Sequence, residues 1–159
     1  MVIKNVIPPV LAAALAALVF SGSAMSDEHE VEKQADQALV ILTNGSLQTQ
    51  GMAMILSNAM QQQGTRVHIL LCDASGDLAV EGYESAEAIN TPPSNPAGRV
   101  KPEAILSMLQ EKGANVDVCA IYLPNSEYDK EDLLDGVGVA TPEAIAQMMT
   151  DPAIPVYSF

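Results

Sequence analysis

Positive charge is scarce in this chain. Seven lysines and arginines stand against 20 aspartates and glutamates in 159 residues, a formal net charge of −13. Such a surface repels phosphate backbones and anionic lipid headgroups, so nucleic-acid and membrane-surface binding are set aside. Histidine is nearly absent: His29 and His68 are the only two, and there is no Gly-x-Ser-x-Gly, which leaves a serine-hydrolase triad with little support. Two cysteines, Cys72 and Cys119, are too few for a disulfide scaffold and too few for a thiolate metal site of their own. The stretch NGSLQTQG places glycines where phosphate loops occur, but it lacks the Lys-Ser/Thr pair and fits neither nucleotide fingerprint. No internal repeat and no low-complexity tract is present. Neither a cofactor nor a resident metal is expected.

What is there suits a packed domain. The chain is 48% hydrophobic and 17% charged, which argues against disorder, and its length suits one domain with a real core. The opening stretch stands apart from it. Lys4 gives a positive start, an apolar run follows from Val6 to Phe20, and Gly22 and Ala24 sit at the spacing a signal peptidase reads. The run is shorter than the roughly 20 residues a spanning helix needs. No cysteine lies near the cleavage point, which argues against a lipoprotein. Residues 1–24 are therefore expected to be a signal peptide, residues 25–37 a flexible acidic lead-in, and residues 38–159 the folded domain. The acidic run DEHEVE around His29 reads as a solvated tail rather than a weak divalent site. The mature protein is expected in the periplasm or an equivalent exported space, soluble and free of the membrane once the signal is removed. In such a compartment paired thiols tend to form disulfides.

Along the domain, strand and helix signals alternate. Ala38–Leu42 reads as a buried strand closed by Asn44-Gly45. Met52, Ile55, Leu56, Ala59 and Met60 form a helical stripe ended by Gly64, its methionines filling core rather than binding metal. Arg66–Cys72 is a second strand. The stretch KPEAILSMLQEKG is a second helix with Pro102 in its first turn. NVDVCAIYL is a third strand, DKEDLLDG one helical turn, and VGVA a fourth, short strand. TPEAIAQMM is a third helix with Thr141 as N-cap, and IPVYSF is the fifth strand. Continuous apolar strands between helices predict a mostly parallel five-stranded sheet covered on both faces, a three-layer α/β/α sandwich. The connection from Asp73 to Val100 shows little periodicity, and loops that long tend to be functional or mobile.

The cysteines carry the chemical question. Both fall late in strands of a parallel sheet, and such sheets place reaction sites at the carboxyl ends of their strands. Cys119 can be a buried filler, half of a disulfide, or a reactive sulfur. Carboxylates at Asp73, Asp117 and Glu127 disfavour a thiolate there, and no lysine or arginine close in sequence offsets them. His68, mid-strand, reads as an interior histidine rather than a base, and Asp73 with Asp77 reads as turn chemistry. If the two cysteine-bearing strands are neighbours, about 4.8 Å separates them, close to the disulfide Cα separation of about 5.5–6 Å. The sulfurs are expected to approach closely enough to couple.

From about Ala38 onward the chain resembles the DsrE-like sulfur-relay family. The most specific part is GANVDVCAIYLPNSEYDKEDLLDGVGVATPEAIAQMM, where a strand delivers Cys119, a variable stretch follows, and Asp132-Leu133-Leu134 with Gly136-Val137 leads into the last helix. The resemblance implies a DsrE-like α/β/α sandwich that assembles as a homo-oligomer, trimers and hexamers recurring. It also implies a cysteine carrying sulfane sulfur as a persulfide, a position Cys119 matches, with sulfur donor and acceptor proteins as partners. Cys72 matches no general family cysteine and is a candidate resolving or disulfide partner. The protein is then at most a sulfur carrier of transferase-like kind. One alternative is a non-catalytic oligomeric module of the same fold that binds a small ligand or a protein. A weaker one is a metal-binding accessory protein using Cys119, Cys72 or His68.

The signal-peptide reading makes a direct prediction. N-terminal sequencing of the exported protein should begin within a few residues of Met25; a membrane-bound product retaining Met1 refutes it.

Overall fold

The computed structural model describes residues 35–93 and 98–159. The expected signal at 1–24, and the expected lead-in up to residue 34, lie outside the described residues. In chain order the elements are β1 (Gln37–Leu42), α1 (Leu47–Gln62), β2 (Arg66–Leu71), β3 (Ile89–Asn90), β4 (Arg99–Val100), α2 (Pro102–Glu111), β5 (Asn115–Cys119), β6 (Gly138–Ala140), α3 (Pro142–Thr150) and β7 (Val156–Ser158). Short 3-10 turns occupy Asp73–Ala79, Leu123–Asn125 and Lys130–Asp132.

Five strands form one sheet in the order β6-β5-β2-β1-β7, every neighbouring pair parallel. This is the expected α/β architecture. Its strands are apolar on both faces because both are covered. Val40, Leu42, Ile69, Leu71, Val116 and Val118 turn to one side, where they pack with Met54 of α1 and Leu106 and Leu109 of α2. Leu39, Leu70 and Ala140 turn to the other, against Ile145 and Met148 of α3. Topology explains the division. The connections through α1 and α2 step across the sheet one way, whereas the connection through α3 returns past β1 to the far edge. Crossovers of one hand then put α3 on the opposite face.

The helix boundaries follow local chemistry. Gly64, at φ +94°, takes the left-handed turn after α1 that a side chain would resist. Pro102 and Pro142 occupy the first turns of α2 and α3, where a missing N–H costs nothing. The Thr141 hydroxyl caps α3, accepting from the Ala144 N–H at 3.3 Å. The stripe expected to face the core on α1 is corrected: Met60 packs at the core margin, but Met52, Ile55 and Leu56 are exposed. The buried face is Gln50, Gly51, Ala53, Met54 and Ser57, mostly small or polar residues among which an apolar stripe does not stand out.

Two further expectations are corrected. The third long strand ends at Cys119 instead of running to Leu123. The Cys119 carbonyl accepts from the Tyr122 N–H at 2.9 Å, so the chain turns at once, and Pro124 lies in the 3-10 turn that follows. The connection from Asp73 to Val100 is not featureless. It buries Leu78 and Ala79 in the main core and ends in the antiparallel pair β3–β4. A seven-residue 3-10 segment and two-residue strands are too short to leave a period in the sequence.

Leu106 is fully buried between α2 and the sheet. Leu106→Ala should lower unfolding free energy by about 2–5 kcal/mol, read as a lower urea midpoint at unchanged slope.

Candidate functional site

The carboxyl edge of β2 and β5 gathers the candidate residues. Leu71 pairs with Val118, so the next positions along the two parallel strands are Cys72 and Cys119. Their side chains leave on the α3 side, among Leu70, Ala140 and Ile145. The two sulfurs are joined in a disulfide, with Cα atoms 5.2 Å apart, inside the range such bridges occupy. Both residues are half-buried. The bond is therefore neither sealed in the core nor free on the surface.

Local sequence shapes the edge. Asp73 adopts φ 52°, a left-handed conformation that aspartate tolerates, and turns the chain sharply after Cys72. Buried Ser75 closes that turn. Its Oγ accepts from the Cys72 N–H at 3.1 Å and lies 2.6 Å from the carbonyl oxygens of both Leu42 and Cys72, donating to one of them. Gly76 leaves room for the Tyr122 ring, which fills the space a Cβ at that position would take. The Tyr122 hydroxyl donates to Asp77 Oδ1 at 2.7 Å. Burial, then the hydrogen bond to Asp77 and its charge, pushes this phenol's pKa well above the usual tyrosine value.

Two hollows flank the bridge. On the α3 side an open groove of about 260 Å³ is lined by Leu70, Cys119, Ile121, Pro142, Ile145 and Met149, nearly all apolar surface. On the other side a cleft of about 650 Å³ touches both cysteines and carries Asp73, Asp77, Glu127 and Tyr122. Among the described residues no lysine, arginine or histidine lines either one. Cys119 borders both hollows; Cys72 borders only the acidic one. Thiol–disulfide exchange needs an accessible sulfur and a line of approach, and this edge offers both.

The remaining candidates lie elsewhere. His68 is two positions further from the edge than Leu70 on the same face, its Nε2 2.7 Å from Asp117 Oδ2 without the N–H alignment of a straight hydrogen bond. Asp117 lies across from Gly138 in β6, over a space that a side chain there would fill. Asp73 and Asp77, read as turn chemistry, do form a turn, and Asp77 also anchors Tyr122. Among the described residues no group of three or more His, Cys, Asp and Glu side chains is arranged to hold a metal ion, and no helix is long and apolar enough to cross a membrane. His29 and the DEHEVE run lie outside the described residues. Sequence reasoning missed Ser75 and Tyr122. Neither carries a local signal, because each acts on a residue reached only through the fold.

No protein-family model matches the chain, and no curated protein matches it. Solved structures do. The chain is similar to the ychN protein from E. coli at 19% identity and a TM-score of 0.60, over 77% of this chain and 99% of that one. It is also similar to MTH1491 from Methanobacterium thermoautotrophicum, a protein of unknown function, at 14% identity and a TM-score of 0.55, over 77% of this chain and 98% of that one. What is shared at these identities is the fold, a mostly parallel sheet covered by helices.

Tyr122 gives the edge an alkaline limit. The folded state holds the phenol proton more tightly than the unfolded chain, whose tyrosine titrates near 10.0. The resulting stability is complete below that value and is lost as pH rises through and above it. Tyr122→Phe should cost about 1–3 kcal/mol at neutral pH. It should also flatten the alkaline fall in stability, checked by urea unfolding on both sides of the tyrosine range.

Proposed function

We propose that the chain handles sulfane sulfur: Cys119 carries it as a persulfide, and Cys72 is the resolving partner. The observation that supports this reading is the half-exposed Cys72–Cys119 disulfide at the carboxyl edge of a parallel sheet, open on two sides. In the dithiol form, the Cys119 thiolate takes the outer sulfur of a persulfide donor, whose remaining thiolate leaves. An acceptor thiolate can then remove that sulfur. Otherwise Cys72 attacks Cys119 Sγ, hydrosulfide departs and the disulfide returns. The resemblance of the Cys119 segment to relay proteins supports the same assignment. The reading includes export, donor and acceptor proteins as partners, and a homo-oligomeric assembly. Self-association draws support from Met149, Val156 and Tyr157, which α3 and β7 leave exposed.

A second reading is favoured by the charge around the bridge. Three carboxylates and no cation line the acidic cleft, which suits a stable disulfide better than a thiolate nucleophile. In that case the protein is a binding module stapled by its one bridge. Closing a loop of 47 residues is worth about 4 kcal/mol in the chain-entropy account.

Intact-mass measurement separates the two. Reduced full-length protein is incubated with polysulfide and freed of excess. Cys72→Ser should gain and keep the mass of whole sulfur atoms, wild type should gain it and lose it with time as the disulfide returns, and Cys119→Ser should gain none. If no protein gains sulfur while reduction sharply lowers the unfolding midpoint, the staple reading replaces the relay.

A further inference from the structure

We propose that the two hollows beside the disulfide sort its reactants by charge. Small thiols that carry no charge beyond the reacting sulfur, hydrogen sulfide among them, reach Cys119 through the apolar groove, and thiols bearing a further anionic group are turned away. This rests on the reading that the bridge is reactive, but not on its carrying sulfane sulfur between partners. The geometry is asymmetric. Cys119 forms part of the wall of a groove of about 260 Å³ that is otherwise apolar, a volume fit for a small molecule and not for a peptide. Of the two hollows, Cys72 borders only the cleft that holds Asp73, Asp77 and Glu127. A sulfonate or carboxylate on an incoming thiol meets those carboxylates on one side and an unsolvating surface on the other. It gains no compensating cation in either place.

The step balances with nothing added. An entering thiol R–SH gives up its proton to solvent, its thiolate sulfur forms a bond to Cys119 Sγ, and the Cys72–Cys119 bond breaks. The electron pair leaves on Cys72 Sγ, and solvent returns the proton there. The disulfide is the electron acceptor, so no outside oxidant takes part. With hydrogen sulfide as the thiol, the product on Cys119 is a persulfide. Asp73 and Asp77 discourage negative charge on the departing sulfur, so Cys72 is held as the neutral thiol. A neutral thiol is a poor nucleophile, and return attack on the adduct is slow. The same carboxylates that make the site a weak thiolate generator thus lengthen the life of what Cys119 carries.

The test uses the oxidised full-length chain and two thiols of matched length, uncharged 2-mercaptoethanol and anionic 2-mercaptoethanesulfonate. Adducts are quenched and mapped by peptide mass. The expected result is a mixed disulfide on Cys119, formed about tenfold faster with the uncharged thiol at low ionic strength, the ratio shrinking in high salt. Exposed Asp73 and Glu127 permit the double variant Asp73→Asn/Glu127→Gln, which should raise the sulfonate rate more than the other and so bring the two rates together. Exposed Ala146 also lines the groove, and Ala146→Glu should slow the uncharged thiol. Adducts on Cys72, equal rates for the two thiols at low salt, or no exchange with either overturn the proposal. Selective exchange at Cys119 in a protein that gains no sulfur from polysulfide upholds this inference while the relay falls. Sulfur uptake without charge selectivity does the reverse.

Discussion

The register of β2 against β5 decides whether this molecule has a reactive edge at all. Leu71 faces Val118, and the ladder carries Cys72 to Cys119 one step later. Side chains alternate along a strand, so a slip of one residue would send one sulfur into the α1–α2 core and leave the other on the α3 face. What fixes the register is the apolar set behind it. Val67, Ile69 and Leu71 from β2 meet Val116 and Val118 from β5 on one side of the sheet, and a one-residue slip would carry one strand's set away from its partners to the α3 side. The position of the sulfur pair is a by-product of core packing a few ångströms away.

Around that pair the chain spends several residues on holding a turn. Ser75 fixes the exit from β2 through its contacts with Leu42 and Cys72. Tyr122, the first buried side chain after Cys119, fixes the exit from β5 by reaching back to Asp77. The two exits are therefore tied to each other through Gly76, Asp77 and Tyr122 as well as through sulfur. Opening the disulfide need not unravel the edge, because a hydrogen-bonded clamp spans the same two strands.

The fold was legible because its strands are unbroken apolar runs with helix signals between them, and periodicity survives over such lengths. Ala38–Leu42, Arg66–Cys72 and the three helices could be read directly. The end of β5 could not, since Ala120, Ile121, Tyr122 and Leu123 continue the apolar run while the backbone has already turned. The site was half legible. Two cysteines at strand ends point to the carboxyl edge whatever the fold, and the nearness of their strands follows from chain order. The rest is invisible in one dimension. Asp77 and Tyr122 lie 45 positions apart, Ser75 and Leu42 33 apart, and no spacing rule joins them. The apolar groove is a further case, for Leu70, Cys119 and Met149 come from three separate elements.

The helix cover of this sheet is lopsided. α1 and α2 each bury several residues, whereas α3 buries none, resting on half-buried Ile145 and Met148 and on the Thr141 cap. Elements with few buried contacts open at a small fraction of the global unfolding free energy. In the language of amide exchange, α3 is expected in the first cooperative unit to lose protection, and β1, β2 and β5 in the last. The bridge between Cys72 and Cys119 sits on the seam of these two units, its strands in the slowest and one wall of its surroundings in the fastest.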